Sequence, residues 1–170
     1  MTLFNSSLAR ALCMMVLAAT LTACGFHLRG SQGYNLPFHT IYLGFPDNSP
    51  LGAELRRNLR GLDGLTVLTT AKGAEAQVDV VSESRGKTIL SLNSQGRVRE
   101  YLLTYTFVFK VRNGAGVELL GPTEIALKRN IAFNEDAVLA KESEEALLIR
   151  DMQTDLVQQV LRRLAAIKPI

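Results

Sequence analysis

Tyr101-Leu102-Leu103-Thr104-Tyr105-Thr106-Phe107-Val108-Phe109-Lys110-Val111-Arg112-Asn113-Gly114 is the stretch whose reading decides the fold. Tyr101, Leu103, Tyr105, Phe107, Phe109 and Val111 recur at every second residue. Thr104, Thr106, Lys110 and Arg112 take the alternate places, with Leu102 and Val108 among them. Successive strand side chains point to opposite faces, so this period of two predicts a β-strand over Arg99 to Val111 with one face buried. Asn113-Gly114 then signals a hairpin turn.

Working outward, Ser94-Gln95-Gly96 supplies a turn before this strand. Gln77 to Ser84 reads as its predecessor, with an extension across Gly86 to Leu92. Beyond Pro122, Ile125, Leu127, Ile131 and Phe133 form a one-sided pattern interrupted by Arg129. The strands from Gln77 to Phe133 are therefore an antiparallel meander with one apolar face. Earlier, Thr40 to Phe45 predicts a first strand, and Leu65 to Thr70 a short extended piece. Ser49-Pro50 is a helix start, a hydroxyl cap before a proline at the first helical position. Leu51, Leu55, Leu59 and Leu62 make its apolar stripe, and Gly61 or Gly64 closes it. In the last helix Ile149, Met152, Leu156, Val160 and Leu164 form a stripe widened by Val157 and Leu161. Ser143 is the expected cap, Glu144 and Glu145 suit the positive end of the helix dipole, and Pro169 stops it. The expected class is α+β: roughly four strands in a mainly antiparallel sheet, with two helices packed on one face.

The N-terminus points to export. Residues 1–23 carry one charge, Arg10, followed by the apolar run Ala11 to Ala19 and then Leu21-Thr22-Ala23-Cys24. A basic start, a short apolar run and small residues before a cut make a secretion signal. The run falls short of the roughly 20 apolar residues that span a bilayer. Leu21-Thr22-Ala23-Cys24 resembles the bacterial lipobox, in which the cysteine sulfur takes a diacylglycerol and the new amine is acylated. Several chains on one residue anchor a protein stably, where one is marginal. Gly25 replaces the Asp that often marks inner-membrane retention, and so favours the outer membrane. The expected organisation is a signal peptide over 1–23, a lipidated Gly-rich tether over 24–39 and a single domain over 40–170.

Loss of the signal removes Arg10 and Cys13, leaving eighteen basic residues against 16 acidic ones. So small an excess is no nucleic-acid signature. With Cys24 acylated, no thiol remains for a disulfide, a metal or a nucleophile. His27 and His39 have no partner at metal-ligand or triad spacing and read as loop residues. Glu142, Glu144, Glu145, Asp151 and Asp155 read as a solvated helical face, and Arg56, Arg57 and Arg60 as another. No catalytic constellation, cofactor loop or metal site is expected. Arg85, Lys87, Arg97 and Arg99 flank the turn at Ser94-Gln95-Gly96, so the hairpin is expected to gather them. Lys110, Arg112, Lys128, Arg129 and Lys141 add charge further along. Two readings of these cations stand open: an anion site, or a sheet edge protected by charge against aggregation.

Cys24-Gly25-Phe26-His27-Leu28-Arg29 closely resembles the start of mature proteins of the LptE (RlpB) family, where the pattern is Cys-Gly-aromatic-His-Leu-Arg. Leu51 to Leu59, Gln95-Gly96 to Tyr101, and Val138-Leu139-Ala140-Lys141 before the last helix agree in order and spacing, so the resemblance covers the whole mature chain. It implies a non-enzymatic outer-membrane lipoprotein that plugs the lumen of the LptD β-barrel and assists lipopolysaccharide delivery to the outer leaflet. It also implies lipopolysaccharide binding at Lys141 and at a hairpin arginine. Ser94 occupies the arginine's place here, with Arg97 and Arg99 just past the turn. The rival expectation is a lipoprotein carrier holding a lipid in its own cavity.

Overall fold

The computed structural model describes residues 34–168. The signal peptide, Cys24, His27 and Pro169 lie outside the described residues. Five strands and two helices follow in the order β1 (Thr40–Gly44), α1 (Pro50–Arg60), β2 (Thr66–Leu68), β3 (Ala76–Leu92), β4 (Val98–Arg112), β5 (Glu118–Ala132) and α2 (Val138–Ala165). They form one sheet in the order β2-β1-β3-β4-β5. The sheet therefore has five strands rather than four. The short piece expected near Leu65 is β2, and it joins as an edge strand.

The sheet is mixed. β3, β4 and β5 form the expected antiparallel meander. β1 runs parallel to both β2 and β3, and α1 makes the crossover that a parallel pair needs. Ser49 caps α1 by accepting the N–H of Gly52 at 3.0 Å, with Pro50 opening the helix. Gly61 closes it, donating to the carbonyls of Asn58 and Leu59, so Leu62 falls just outside.

One buried cluster joins the layers. Leu103, Tyr105, Phe107, Phe109 and Val111 from β4 meet Ile41 and Leu43 from β1, Leu51, Leu55 and Leu59 from α1, and Met152, Leu156, Val160 and Leu164 from α2. Fully burying each such side chain contributes about 1.5–3 kcal/mol. Phe107 stacks between Phe45 and Phe109, at 5.6 and 5.4 Å. Glu54 ties the helices together by accepting from Gln153 and Thr154 at 2.6 and 2.9 Å. Within the segment expected as tether, Phe38 is 5% exposed and belongs to the cluster, while the Tyr34 hydroxyl donates to Gln158 at 2.9 Å.

Three local expectations need correction. The β4–β5 turn is not a two-residue Asn-Gly turn. Asn113 Oδ1 accepts from Ala115 and Val117, and Gly116 takes the left-handed conformation at φ +86°. Asn93 and Gly96 build the β3–β4 turn in the same way, with Gly96 at +78°. A turn followed by a left-handed glycine is the next most common hairpin closure after the two-residue one. Second, β5 starts at Glu118 and contains Pro122. The proline sits on an edge strand where the register slips, so no ladder bond is lost. Third, Ser143 does not cap α2. Asn134 caps a 3-10 turn over Glu135–Ala137 that runs into the helix at Val138, and the Ser143 hydroxyl bonds back to the Leu139 carbonyl at 3.0 Å. Val138-Leu139-Ala140-Lys141 is thus the first turn of α2 and not a segment before it.

Candidate functional site

β1 pairs with β3 only from Ala76 to Asp79, so among the described residues the rest of that β3 edge, out to Leu92, is open. The exposed end of the sheet holds the cations singled out by sequence. They do not form one group. Register pairs Arg85 with Tyr105 and Lys87 with Leu103, while Leu92 pairs with Val98 at the hairpin tip. Arg85 and Lys87 therefore lie roughly 20 Å below Arg97 along the strands.

The lower pair is tied into the fold. Arg85 Nη2 donates to the Tyr105 hydroxyl at 2.8 Å and contacts Glu83 at 3.3 Å, with its guanidinium 4.5 Å from the Tyr105 ring centre. Lys87 pairs with Glu145 of α2 at 2.5 Å and sits 4.4 Å over the Tyr101 ring. Charges turned towards the core side of an open edge hinder further strand pairing, which favours edge protection for these two. The Tyr105 hydroxyl donates to Glu83 at 2.6 Å. Burial raises its pKa well above the usual phenol value, the Glu83 hydrogen bond raises it further, and Arg85 opposes both. Tyr105 therefore keeps its proton. The sequence placed Tyr105 in the apolar stripe and missed this polar contact; a buried tyrosine hydroxyl needing a partner was the available signal.

The upper group is looser. Arg97 lies in the turn and not in β4, and it reaches Glu135 at 3.0 Å. The register slips between Ile89 and Ser91, leaving out Leu90, and again between Ser91 and Leu92, leaving Arg99 without a partner on β3. Arg97 and Arg99 therefore do not continue the alternation of Tyr101, because a bulge re-aims the chain. The Arg99 carbonyl accepts from Phe133 at 2.8 Å, which joins the tip to the segment leading into α2. Lys141, in the first turns of α2, pairs with Glu144 at 2.7 Å. Arg99 makes no ion pair among the described residues. Cys24, the expected lipidation site, lies outside the described residues.

Elsewhere the charges are paired or solvated. Arg112 meets Asp79 at 2.7 Å and Arg129 meets Asp155 at 2.8 Å. Glu142 and Asp151 are exposed, as a solvated helical face requires. His39 donates its backbone N–H to Glu75, and its ring contacts the Gly64 carbonyl at 3.4 Å. Among the described residues no three His, Cys, Asp or Glu side chains assemble into a metal site, and no helix is long and apolar enough to cross a membrane. A cavity of about 200 Å³ opens between α2 and the sheet, floored by Leu103, Ile149 and Met152 and rimmed by Arg85, Lys87 and Glu145.

Comparison with known proteins places this architecture. Residues 38–164 match the family model LptE, described as lipopolysaccharide-assembly. The LPS-assembly lipoprotein LptE of Pectobacterium atrosepticum is 29% identical over 153 residues, covering 89% of this chain and 82% of that protein. Its namesake from Photorhabdus laumondii is 25% identical over 156 residues, covering 91% and 84%. The solution structure of uncharacterized lipoprotein B from Nitrosomonas europaea superposes with a TM-score of 0.72 at 39% identity, over 84% of this chain and 91% of that one. The crystal structure of rare lipoprotein B from Shewanella oneidensis gives 0.65 at 25% identity, over 75% and 94%.

Proposed function

The chain belongs to the LptE family of lipopolysaccharide-assembly lipoproteins, and from that premise we propose that it is anchored in the outer membrane through Cys24 and plugs the lumen of the LptD β-barrel, where it assists lipopolysaccharide transport. The role asks for no bond-making chemistry on this chain.

The packing of the domain is the observation that carries the plug over the carrier. A carrier needs an apolar cavity of several hundred Å³ between its layers. Here the sheet and both helices interdigitate in a single buried cluster, and the cavity beside α2 is open and rimmed by charge. A large outer-membrane barrel encloses a polar lumen that a folded domain can fill. The sheet face away from the helices suits such a lumen. By register it carries Ser82, Ser84 and Thr88 from β3, Thr104 and Thr106 from β4, and Glu124, Lys128 and Asn130 from β5, with Leu102, Val108 and Ala126 among them.

Detergent extraction followed by affinity purification of the tagged protein tests the reading. A large β-barrel should co-purify in fixed ratio. Recovery of the lipoprotein alone, carrying bound lipid, would instead support the carrier. Mass spectrometry of the mature N-terminus tests the anchor: a diacylglycerol and an acyl chain on Cys24 are expected, and an unmodified cysteine would overturn it.

A further inference from the structure

The two ends of the domain differ in charge. Towards the β3–β4 hairpin the cations are interleaved with acids: Arg85 pairs with Glu83, Lys87 with Glu145, Arg97 with Glu135 and Lys141 with Glu144. The topology sets the opposite end. β1 and β2 run parallel to β3, so α1, crossing back between them, ends where Thr40, Thr66 and Ala76 begin their strands. α2 starts beyond Ala132, near the hairpin, and runs the other way. Gln158 in its last turns bonds Tyr34, just ahead of β1. Both helices therefore bring their C-terminal ends to the end of the sheet away from the hairpin.

That end carries Arg57 and Arg60 from α1, Arg162 and Lys168 in and just past α2, and Lys72 from the loop before β3, all exposed. None of them makes an ion pair among the described residues. The acids there are Asp63, Glu75 and Glu118, while Asp79 is taken by Arg112. Cations at a helix C-terminus suit the dipole, which accounts for each helix separately. It does not account for Lys72, and backbone N–H groups of Gly61 and Ala166 already meet carbonyls at the two helix ends.

The path of the chain is a second observation. Tyr34, Leu36, Phe38 and His39 line a small cleft with Leu62 and Leu65, so the chain enters the domain at this same end. Cys24 stands ten residues before Tyr34, a reach of at most about 36 Å even when fully extended. Acyl chains on Cys24 would hold the basic end within that distance of the leaflet. The attraction of basic side chains to an anionic bilayer adds to an acyl anchor and falls off within a Debye length, so a short tether is what makes it count. A protein partner fits less well. No aromatic side chain is exposed among the described residues, whereas protein interfaces are built on aromatic anchors and have cores depleted in lysine.

We infer that this basic end rests on anionic phospholipid headgroups of the leaflet that holds the Cys24 acyl chains. The inference rests on the Cys24 anchor proposed above and does not depend on the barrel.

The test uses the full lipidated chain reconstituted into vesicles. The mature chain has no cysteine besides Cys24, so Ala166→Cys or Gln95→Cys takes a single fluorophore. Both positions are exposed, one at the basic end and one at the hairpin tip. Lipid spin-labelled at its headgroup quenches a dye that meets the surface. With phosphatidylglycerol mixed into phosphatidylcholine, the Ala166 dye should be quenched several-fold more than in phosphatidylcholine alone, and the Gln95 dye should not respond. Salt at 1 M, where the Debye length is about 3 Å, should remove the difference. Arg57→Gln/Arg60→Gln/Lys72→Gln/Arg162→Gln/Lys168→Gln should remove it at low salt as well. None of these side chains belongs to the buried cluster, so melting should stay near wild type. Equal quenching in the two kinds of vesicle, or a response at Gln95 as large as at Ala166, would overturn the inference. So would contact that arises only when lipopolysaccharide replaces phosphatidylglycerol. Mass spectrometry of the same samples shows whether Cys24 carries its acyl chains, which separates loss of the anchor from loss of the headgroup contact.

Discussion

The two ends of α2 lie on the same sheet and live in different surroundings. From Met152 to Leu164 the helix buries six side chains against β4 and α1. From Val138 to Asp151 none is buried, and the ion pair from Glu145 to Lys87 joins that half to β3. β3 divides in the same way, with Ala76 to Val78 buried and Val81 to Leu90 exposed. The lower half of the molecule supplies the fold's stability through apolar contact. In the upper half the apolar contacts thin out to Ile131 and the Tyr101–Phe133 pair, and the exposed charge pairs there contribute only about 0–1 kcal/mol each. Substitutions below should unfold the protein, and substitutions above should change what it binds.

Phe107→Ala makes the largest break. The ring is fully buried between Phe45 and Phe109, and such truncations cost about 3–5 kcal/mol. Urea denaturation should show a lower midpoint with an unchanged slope. A midpoint within error of wild type would mean that the lower half is not the stabilising one.

Gly52→Ala comes next. A Cβ on Gly52 would lie 2.6 Å from Phe45 Cβ and 2.7 Å from its Cγ. Those atoms are the root of a ring already stacked on Phe107, so they cannot swing away. Overpacking of this kind costs about 1–3 kcal/mol, readable as a fall in melting temperature. Stabilisation of the variant would show that α1 rides more loosely on β1 than the buried contacts require.

The same contrast explains what the sequence revealed. Tyr101 to Val111 and the stripe from Met152 to Leu164 follow strict periods, because each faces one apolar layer, and both were legible. Thr40 to Phe45 and Leu65 to Thr70 were legible as extended pieces but not as members of one five-stranded sheet, since β1 joins through parallel pairings set by tertiary packing and β2 is three residues long. At the candidate site, Lys141, Arg97 and Arg99 were legible as cations but not as a geometry. The slip at Leu90 and Arg99 breaks the alternation, and Asn134 starts α2 ahead of Ser143. The partners Glu135, Glu145 and Glu83 are distant or non-periodic, and no spacing rule reaches them.

Tyr105 sits on the boundary between the halves. Its raised pKa comes first from burial and then from the Glu83 hydrogen bond. The unfolded phenol ionises near pH 10, while the folded one holds its proton to higher pH. The contribution to stability is therefore complete below about pH 10 and is lost as pH rises beyond it. Tyr105→Phe should leave stability near neutral pH little changed and should flatten the alkaline fall. An equally steep fall in the variant would assign that loss to lysine deprotonation elsewhere.

The smallest effect on stability, and the sharpest on binding, is expected from Arg97→Glu/Arg99→Glu/Lys141→Glu. Arg97 loses its pair with Glu135 and gains a like charge opposite it. Lys141→Glu faces Glu144 and Glu145 at helical spacing, a repulsion of about 0.2–0.5 kcal/mol per pair. The new acid also lies in the first turns of α2, where the helix dipole favours negative charge by a similar amount. The helix terms thus nearly offset one another, and none of the three side chains enters the buried cluster. The melting temperature should fall by a few degrees at most, while lipopolysaccharide binding should weaken strongly, most clearly at low salt where the Debye length is longest. Equal binding by variant and wild type at low ionic strength would exclude the upper cations as phosphate contacts. A collapse in melting temperature would show that the upper half supports the fold after all, and would undo the division between the two ends of α2.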